Sequence, residues 1–304
     1  MSTFKWFAAF GLAVATVQIL PAESHCPGNV ASVPLRLTNS QRRIAVVSIN
    51  HSGPYNFLFD TGTQVTIVDP SLAAELRLNA QGSAMVEGLG FHAAASTAQV
   101  DLLEVGSHRV ANQTVLLFGM QHPHAVDLQI RGVLGEDFLS KFDVLIDNAH
   151  GLLCLDDSDA MRTHVKGSHI PLQMPAQTSS DGLLRKSLII SARFPDGLRP
   201  VRLMLDSGTN VSFLFDTPRY MPVKFLRSTT LAGTGLDGAR RLYAALPAEN
   251  FQIGSLEMLG IFFYTVSGGD KNANPTEFDG MLPTGLFRSV FVCHTDHFVV
   301  LDPG

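Results

Sequence analysis

"LFDTGTQV" occupies residues 58–65 and "MLDSGTNV" occupies residues 204–211. Each places an aspartate behind a short apolar run, then adds a hydroxyl residue, a glycine and a threonine. One such triplet in a chain of 304 residues carries little information. Two in the same frame, 146 positions apart (206 − 60), raise the question of whether the chain is one unit written twice.

The segments around them answer it. "VPLRL" (33–37) returns as "IPLQM" (170–174), and "RIAVVSIN" (43–50) returns as "KSLIISAR" (186–193). "VEGLGF" (86–91) matches "LAGTGL" (231–236), "LEVGS" (103–107) matches "FQIGS" (251–255), and "RGVLGEDFL" (131–139) matches "DGMLPTGLF" (279–287). "GLLCLD" (151–156) closes one half and "HFVVLD" (297–302) the other. Spacing is kept as well as order: positions 60 to 88 match 206 to 233, and 60 to 133 match 206 to 281. The sequence reads as a tandem duplication.

Most repeated segments are short, rich in Val, Ile, Leu and Phe, and bounded by Gly, Pro, Asn or Asp, which predicts strands joined by turns. "HSGPYN" and "FPDGLR" are expected hairpin connections because Gly and Pro supply turn dihedrals. Short helices are expected within 69–78 and 135–142. The polar stretch 156–169 falls between the repeats. The expected organisation is a lobe over 25–158, a linker at 159–164 and a second lobe over 165–304. The fold class is therefore all-β, with two homologous β-barrel-like lobes and a few short helices.

Composition narrows the function. Hydrophobic residues make up 45% and charged residues 16%, enough to build a sizeable core, and the net charge of −5 leaves no electrostatic footprint for nucleic acid. Lys5 precedes an apolar run from Trp6 to Leu20, and small residues at Ala22 and Ser24 suit cleavage after Ser24. Residues 1–24 are read as a signal peptide and the rest as exported, secreted or periplasmic, with no membrane contact once the signal is removed. An uncleaved anchor is the alternative reading of the same run. The three cysteines, Cys26, Cys154 and Cys293, allow three pairings and leave one thiol over. Within "GLLCL", Cys154 reads as a buried, inert thiol.

The two aspartates carry the chemistry. A carboxylate at the end of an apolar strand is held away from bulk water, and the following glycine permits close backbone approach. If the duplicated lobes pack about a pseudo-two-fold axis, Asp60 and Asp206 face each other there. Two adjacent carboxylates share one proton and titrate as a pair. Such a pair can take a proton from water while giving one to a carbonyl. His122, His124, His294 and His297 lack a metal-binding spacing, and no Gly-x-Ser-x-Gly is present. Glycosidic cleavage by two carboxylates is disfavoured because the only tryptophan, Trp6, lies in the signal segment. Asn50, Asn112 and Asn210 head Asn-x-Ser/Thr triplets, Asn210 being poorly placed beside the pair.

With both triplets, the Gly88-Leu89-Gly90 and Gly233-Thr234-Gly235 turns, and Val133-Leu134-Gly135 in place, the chain resembles the pepsin and retropepsin family of aspartic proteases. The resemblance covers essentially all of it after the signal. It implies the acid-protease fold, with Asp60 and Asp206 holding the lytic water and Thr61 and Ser207 exchanging hydroxyl hydrogen bonds across the lobes. Gly62, Thr63, Gly208 and Thr209 would complete the two loops. A flap at Gly88, Leu89, Gly90 and Phe91, with a partner near Gly233–Leu236, would close over an extended polypeptide substrate. No cofactor or metal is implied, and one chain completes the site as a monomer. Met281-Leu282-Pro283 stands where the family has glycine, and neither flap carries a tyrosine. Two flap-like turns and short lobes resemble a fused retropepsin dimer more than pepsin. Residues 25–32 leave no room for an inhibitory prosegment. Pro283 and the absent flap tyrosine motivate a second reading, a silent peptide-binding protein of the same fold.

Overall fold

A computed structural model describes residues 26–38, 41–89, 91–120, 129–178, 183–195, 197, 199–215, 230–235, 238–266 and 277–304. The expected signal segment, His122, His124, Gly90 and Leu236 lie outside these residues.

The first half forms an eight-stranded sheet, in spatial order Arg36–Leu37, Arg43–Ile49, Ser52–Phe59, Ile130–Leu134, Ile67–Val68, His108–Leu117, Phe91–Val105 and Ala80–Gly88. Arg43–Ile49 also pairs with Phe91–Val105, which curls the sheet onto itself. The second half forms a nine-stranded sheet in which Ser212–Leu214, Gly280–Pro283, Val201–Asp206 and Ile189–Arg193 lie side by side.

Beneath both runs a six-stranded sheet that neither half builds alone. Its order is Ser32–Pro34, Leu152–Asp156, Asp143–Asp147, Ser289–Cys293, Phe298–Asp302 and Ile170–Pro171, so strands of the two halves meet at Asp143–Asp147 and Ser289–Cys293. The stretch between Asp156 and Ile170 is turn and loop.

One arrangement occurs in both upper sheets and positions the triplets. Ser52–Phe59 runs parallel to Ile130–Leu134, and Ile67–Val68 lies antiparallel on the other side of that strand. Likewise Val201–Asp206 runs parallel to Gly280–Pro283, with Ser212–Leu214 antiparallel on its other flank. The loop carrying each aspartate therefore passes around the end of a central strand.

Alternation along the incoming strands explains their burial. Phe57 and Phe59 enter a core that extends into the shared sheet, while Leu58 enters a smaller cluster with Ile44, Val65, Ile67 and Val133. Leu203 and Leu205 join the same large core, and Met204 enters a second cluster with Phe213, Phe215, Tyr243 and Phe278. Strands buried on both faces read as continuous apolar runs. Each buried Phe or Leu contributes about 1.5–3 kcal/mol of apolar transfer free energy to fixing the loop that follows.

Helices at Pro70–Glu75 and Glu136–Leu139 fall inside the expected windows. The first is capped by Asp69, whose Oδ1 accepts the Ser71 N–H at 2.9 Å, with Pro70 at its first position. Two expectations need correction. The first hairpin turns at Asn50-His51, both at positive φ (50° and 62°), while Gly53 and Pro54 lie inside the following strand. Asparagine tolerates the left-handed region, and the Asn50 Oδ1 accepts from the Asp101 and Leu102 N–H groups. Cys154 is not a free thiol: it is bonded to Cys26, and Cys293 is the buried unpaired cysteine. The pairing follows from the shared sheet, where Ser32–Pro34 lies against Leu152–Asp156 and brings the segment that carries Cys26 beside Cys154.

Candidate active site

Both triplets emerge at the ends of their buried strands. In the first, Asp60 donates its N–H to the Leu134 carbonyl (3.1 Å), and its Oδ1 and Oδ2 accept from the Gly62 N–H and the Thr63 hydroxyl, each at 2.8 Å. In the second, Asp206 Oδ1 accepts from the Gly208 N–H (2.7 Å) and the Thr209 N–H (3.1 Å). The Thr209 hydroxyl donates instead to the Val211 carbonyl. The loops are alike in path and differ in how their threonines are used.

Four hydrogen bonds join the loops across the two halves. The Thr61 hydroxyl donates to the Leu205 carbonyl (2.9 Å) and accepts the Ser207 N–H (3.0 Å). The Ser207 hydroxyl donates to the Phe59 carbonyl (3.1 Å) and accepts the Thr61 N–H (3.0 Å). Thr61 and Ser207 are almost completely buried, so each bond would leave an enclosed polar group unpaired if broken. Hydroxyl side chains are required because each one both donates and accepts.

The glycines set how closely the carboxylates approach. A Cβ at Gly62 would lie 2.6 Å from Asp206 Cγ, and a Cβ at Gly208 would lie 2.4 Å from Asp60 Cγ. Each carboxylate thus packs against the opposing glycine. Burial, the charge of Asp60 and a side-chain hydrogen bond with Asp60 together hold Asp206 well above the ordinary carboxylate range. Two carboxyl groups placed this way can hold one proton between them.

A brace stands behind the first loop. Thr66 donates its N–H (2.9 Å) and its hydroxyl (2.7 Å) to Asp137 Oδ1, and that hydroxyl accepts the Gly135 N–H at 3.1 Å. Burial pushes the Asp137 carboxyl up, and the bonds from Thr66 oppose this. The sequence reading missed Thr66 and Asp137; the signal was a polar pair inside otherwise apolar repeats. In the second half Pro283 takes the place of Gly135. It lacks an N–H for the equivalent bond, yet it pairs in parallel register with Asp206.

The flap expectations are placed in part. Gly88 pairs with Phe91 at the end of a hairpin between Ala80–Gly88 and Phe91–Val105. Leu89 packs against the second half's cluster around Met204, Phe213 and Tyr243, and the Arg185 guanidinium donates to the Met85 carbonyl at 3.1 Å. The hairpin of Ala80–Gly88 and Phe91–Val105 therefore reaches across to the other half. Gly233 and Thr234 lie in Thr230–Thr234, paired with Arg240–Ala245, and the Gly235 N–H donates to the Ala239 carbonyl. His294 is committed to the Phe142 carbonyl and Glu136. Among the described residues no three His, Cys, Asp or Glu side chains group as metal ligands, and no helix is long and apolar enough to cross a membrane.

Residues 45–138 match the aspartyl protease family model. Among solved structures, the aspartic proteinase from Irpex lacteus is similar over 90% of this chain and 97% of its own, with 12% identity and a TM-score of 0.50. A retropepsin-like aspartic protease from Rickettsia conorii is similar over 41% of this chain and 90% of its own, with 18% identity and a TM-score of 0.30. No curated protein matches the chain.

Proposed function

We propose, from the match of residues 45–138 to the aspartyl protease family model and from the acid-protease fold, that the chain is an aspartic endopeptidase using Asp60 and Asp206 as a pair. The observation that carries this reading is the close approach of each carboxylate to the opposing glycine, together with the raised Asp206.

Asp206 holds the shared proton, and a water lies between the two carboxyl groups. Asp60 takes a proton from that water as its oxygen adds to the scissile carbonyl carbon, and Asp206 gives its proton to the carbonyl oxygen. The resulting tetrahedral diol collapses when Asp60 gives the proton it gained to the nitrogen and Asp206 takes one back from a diol hydroxyl, releasing an acid and an amine and restoring the pair. The Gly62 N–H and Thr63 hydroxyl on Asp60, and the Gly208 and Thr209 N–H groups on Asp206, fix the carboxyl planes throughout.

The substrate is an extended polypeptide, bound as an added strand beneath the hairpin that carries Gly88 and Leu89. A monomer suffices, since both aspartates belong to one chain. Export is supported by the expected signal segment at 1–24 and by the Cys26–Cys154 disulfide, which persists in oxidising compartments. The silent-binder reading drew on Pro283, and the in-register pairing of Pro283 with Asp206 weakens that motive.

The test is cleavage of a mixed peptide library from pH 3 to 7 by wild type and Asp60→Asn. Cleavage that disappears in the variant and is blocked by a statine-type inhibitor supports the endopeptidase. A folded wild type that is inert at every pH overturns it in favour of a peptide-binding protein.

A further inference from the structure

Below the two loops lies a buried polar pair that the chemistry above does not use. Glu136, directly after Gly135, is completely buried, and His294, directly after Ser289–Cys293 of the other half, nearly so. His294 Nδ1 lies 2.6 Å from the Phe142 carbonyl oxygen. A carbonyl only accepts, so Nδ1 carries a hydrogen, and a single proton is shared between His294 Nε2 and Glu136 Oε1. Glu136 Oε2 is enclosed without a partner among the described residues. Two apolar side chains would fill such a site at lower desolvation cost.

The pair connects to the dyad through the backbone. The Glu136 N–H donates to the Thr63 carbonyl at 2.8 Å, and the Thr63 hydroxyl donates to Asp60 Oδ2 at 2.8 Å. Three successive contacts therefore run from a side chain of the second half to an oxygen of Asp60.

The other half has a counterpart with different chemistry. Asn148, directly after Asp143–Asp147, donates its Nδ2 to the Thr284 and Phe287 carbonyls, each at 2.8 Å. Thr284 follows Pro283 as Glu136 follows Gly135. Asp143–Asp147 and Ser289–Cys293 are antiparallel neighbours, so Asn148 and His294 leave the shared sheet in opposite directions. Each reaches the turn behind the other half's aspartate loop.

We propose that Glu136 and His294 are positioning residues for Asp60, forming with Asn148 and Thr284 a reciprocal clasp by which the shared sheet sets the separation of the two carboxyl groups. The inference rests on reading Asp60 and Asp206 as the catalytic pair. The clasp acts only through Thr63 and the loop backbone.

The test compares Glu136→Ala, Glu136→Gln, His294→Asn and the double variant E136T/H294N, which installs the second half's chemistry in the first. Two readouts are taken: kcat and KM on a cleaved library peptide, and the pH titration of the Asp206 carboxyl carbon in 13C-aspartate-labelled protein. Glu136→Ala should lower kcat about 10- to 100-fold with KM nearly unchanged, the range expected for a displacement of about 1 Å, and should move the Asp206 titration. In Glu136→Gln the amide donates to neutral Nε2 and keeps the geometry, so kcat should stay within about threefold of wild type. His294→Asn should fall between them, and the double variant should recover part of its loss. Alanine and asparagine variants that leave both readouts at wild type, or a glutamine variant as impaired as alanine, overturn the clasp. If Glu136→Ala does not fold, His294→Asn and the double variant carry the same comparison. A wild type that cleaves nothing defeats the endopeptidase reading alone, because the Asp206 titration still reports on the clasp.

Discussion

Replacing Gly208 with alanine tests directly how closely the two loops meet. The new Cβ would stand 2.4 Å from Asp60 Cγ and Oδ2 and 2.6 Å from Oδ1, whereas ordinary contact begins at 3.4 Å. The carboxylate must retreat by about 1 Å to restore contact distance. It is not free to do so, being held by the Gly62 N–H and the Thr63 hydroxyl, each at 2.8 Å. Losing one such bond to a charged acceptor costs about 1.5–3 kcal/mol. At about 2.1 cal/mol/K of unfolding entropy per residue, a chain of 304 residues would then fall in Tm by about 2–5 °C. A displacement of about 1 Å at the reacting groups lowers kcat about 10²-fold. The assay is thermal unfolding by circular dichroism alongside kcat/KM on a library peptide. Gly119→Ala is the control, since a Cβ there meets no heavy atom within 4 Å. If Gly208→Ala matches the control in both measurements, the loops do not approach as described and the paired-carboxylate reading falls with them.

Three further outcomes are expected. Thr61→Val keeps the shape of the side chain but strands the buried Ser207 N–H and Leu205 carbonyl. At about 1–3 kcal/mol each it should shift the urea midpoint clearly downward, and an unchanged midpoint would remove the cross-lobe exchange. Asp206 is raised by burial and by Asp60; below its unfolded pKa of about 3.9 it is protonated in both states, and stability is lost as pH rises through the raised folded value. Asp206→Asn should therefore match wild type in Tm near pH 3–4 and exceed it increasingly towards pH 7, and a pH-independent difference would contradict the assignment. The Cys26–Cys154 disulfide closes a loop with a sequence separation of 128. Reduction should destabilise the chain by about 5 kcal/mol on the loop-entropy model, read as a lower Tm in reducing buffer, whereas an unchanged Tm would mean that the segment around Cys26 stays docked without it.

The duplication and the strand-rich fold class were legible in the sequence, as were the two triplets on which the proposed site rests, because they depend on local pattern. Apolar runs ending in Asp-Thr-Gly and Asp-Ser-Gly declare a strand and a loop in about eight letters. The same locality explains the error at the first hairpin, where Gly53 and Pro54 look like the turn and Asn50-His51 makes it. What only the tertiary structure decided involves partners far apart in the chain. The Thr61–Ser207 exchange joins residues separated by 146 positions, and the six-stranded sheet takes strands from both halves. That sheet determines which cysteine pairs with Cys26 and brings Glu136 to His294 across 158 positions. A sequence pattern reports which face of a strand is apolar. It does not report which other strand will cover that face, and so a histidine or glutamate that meets its partner across the lobes carries no local sign of its role.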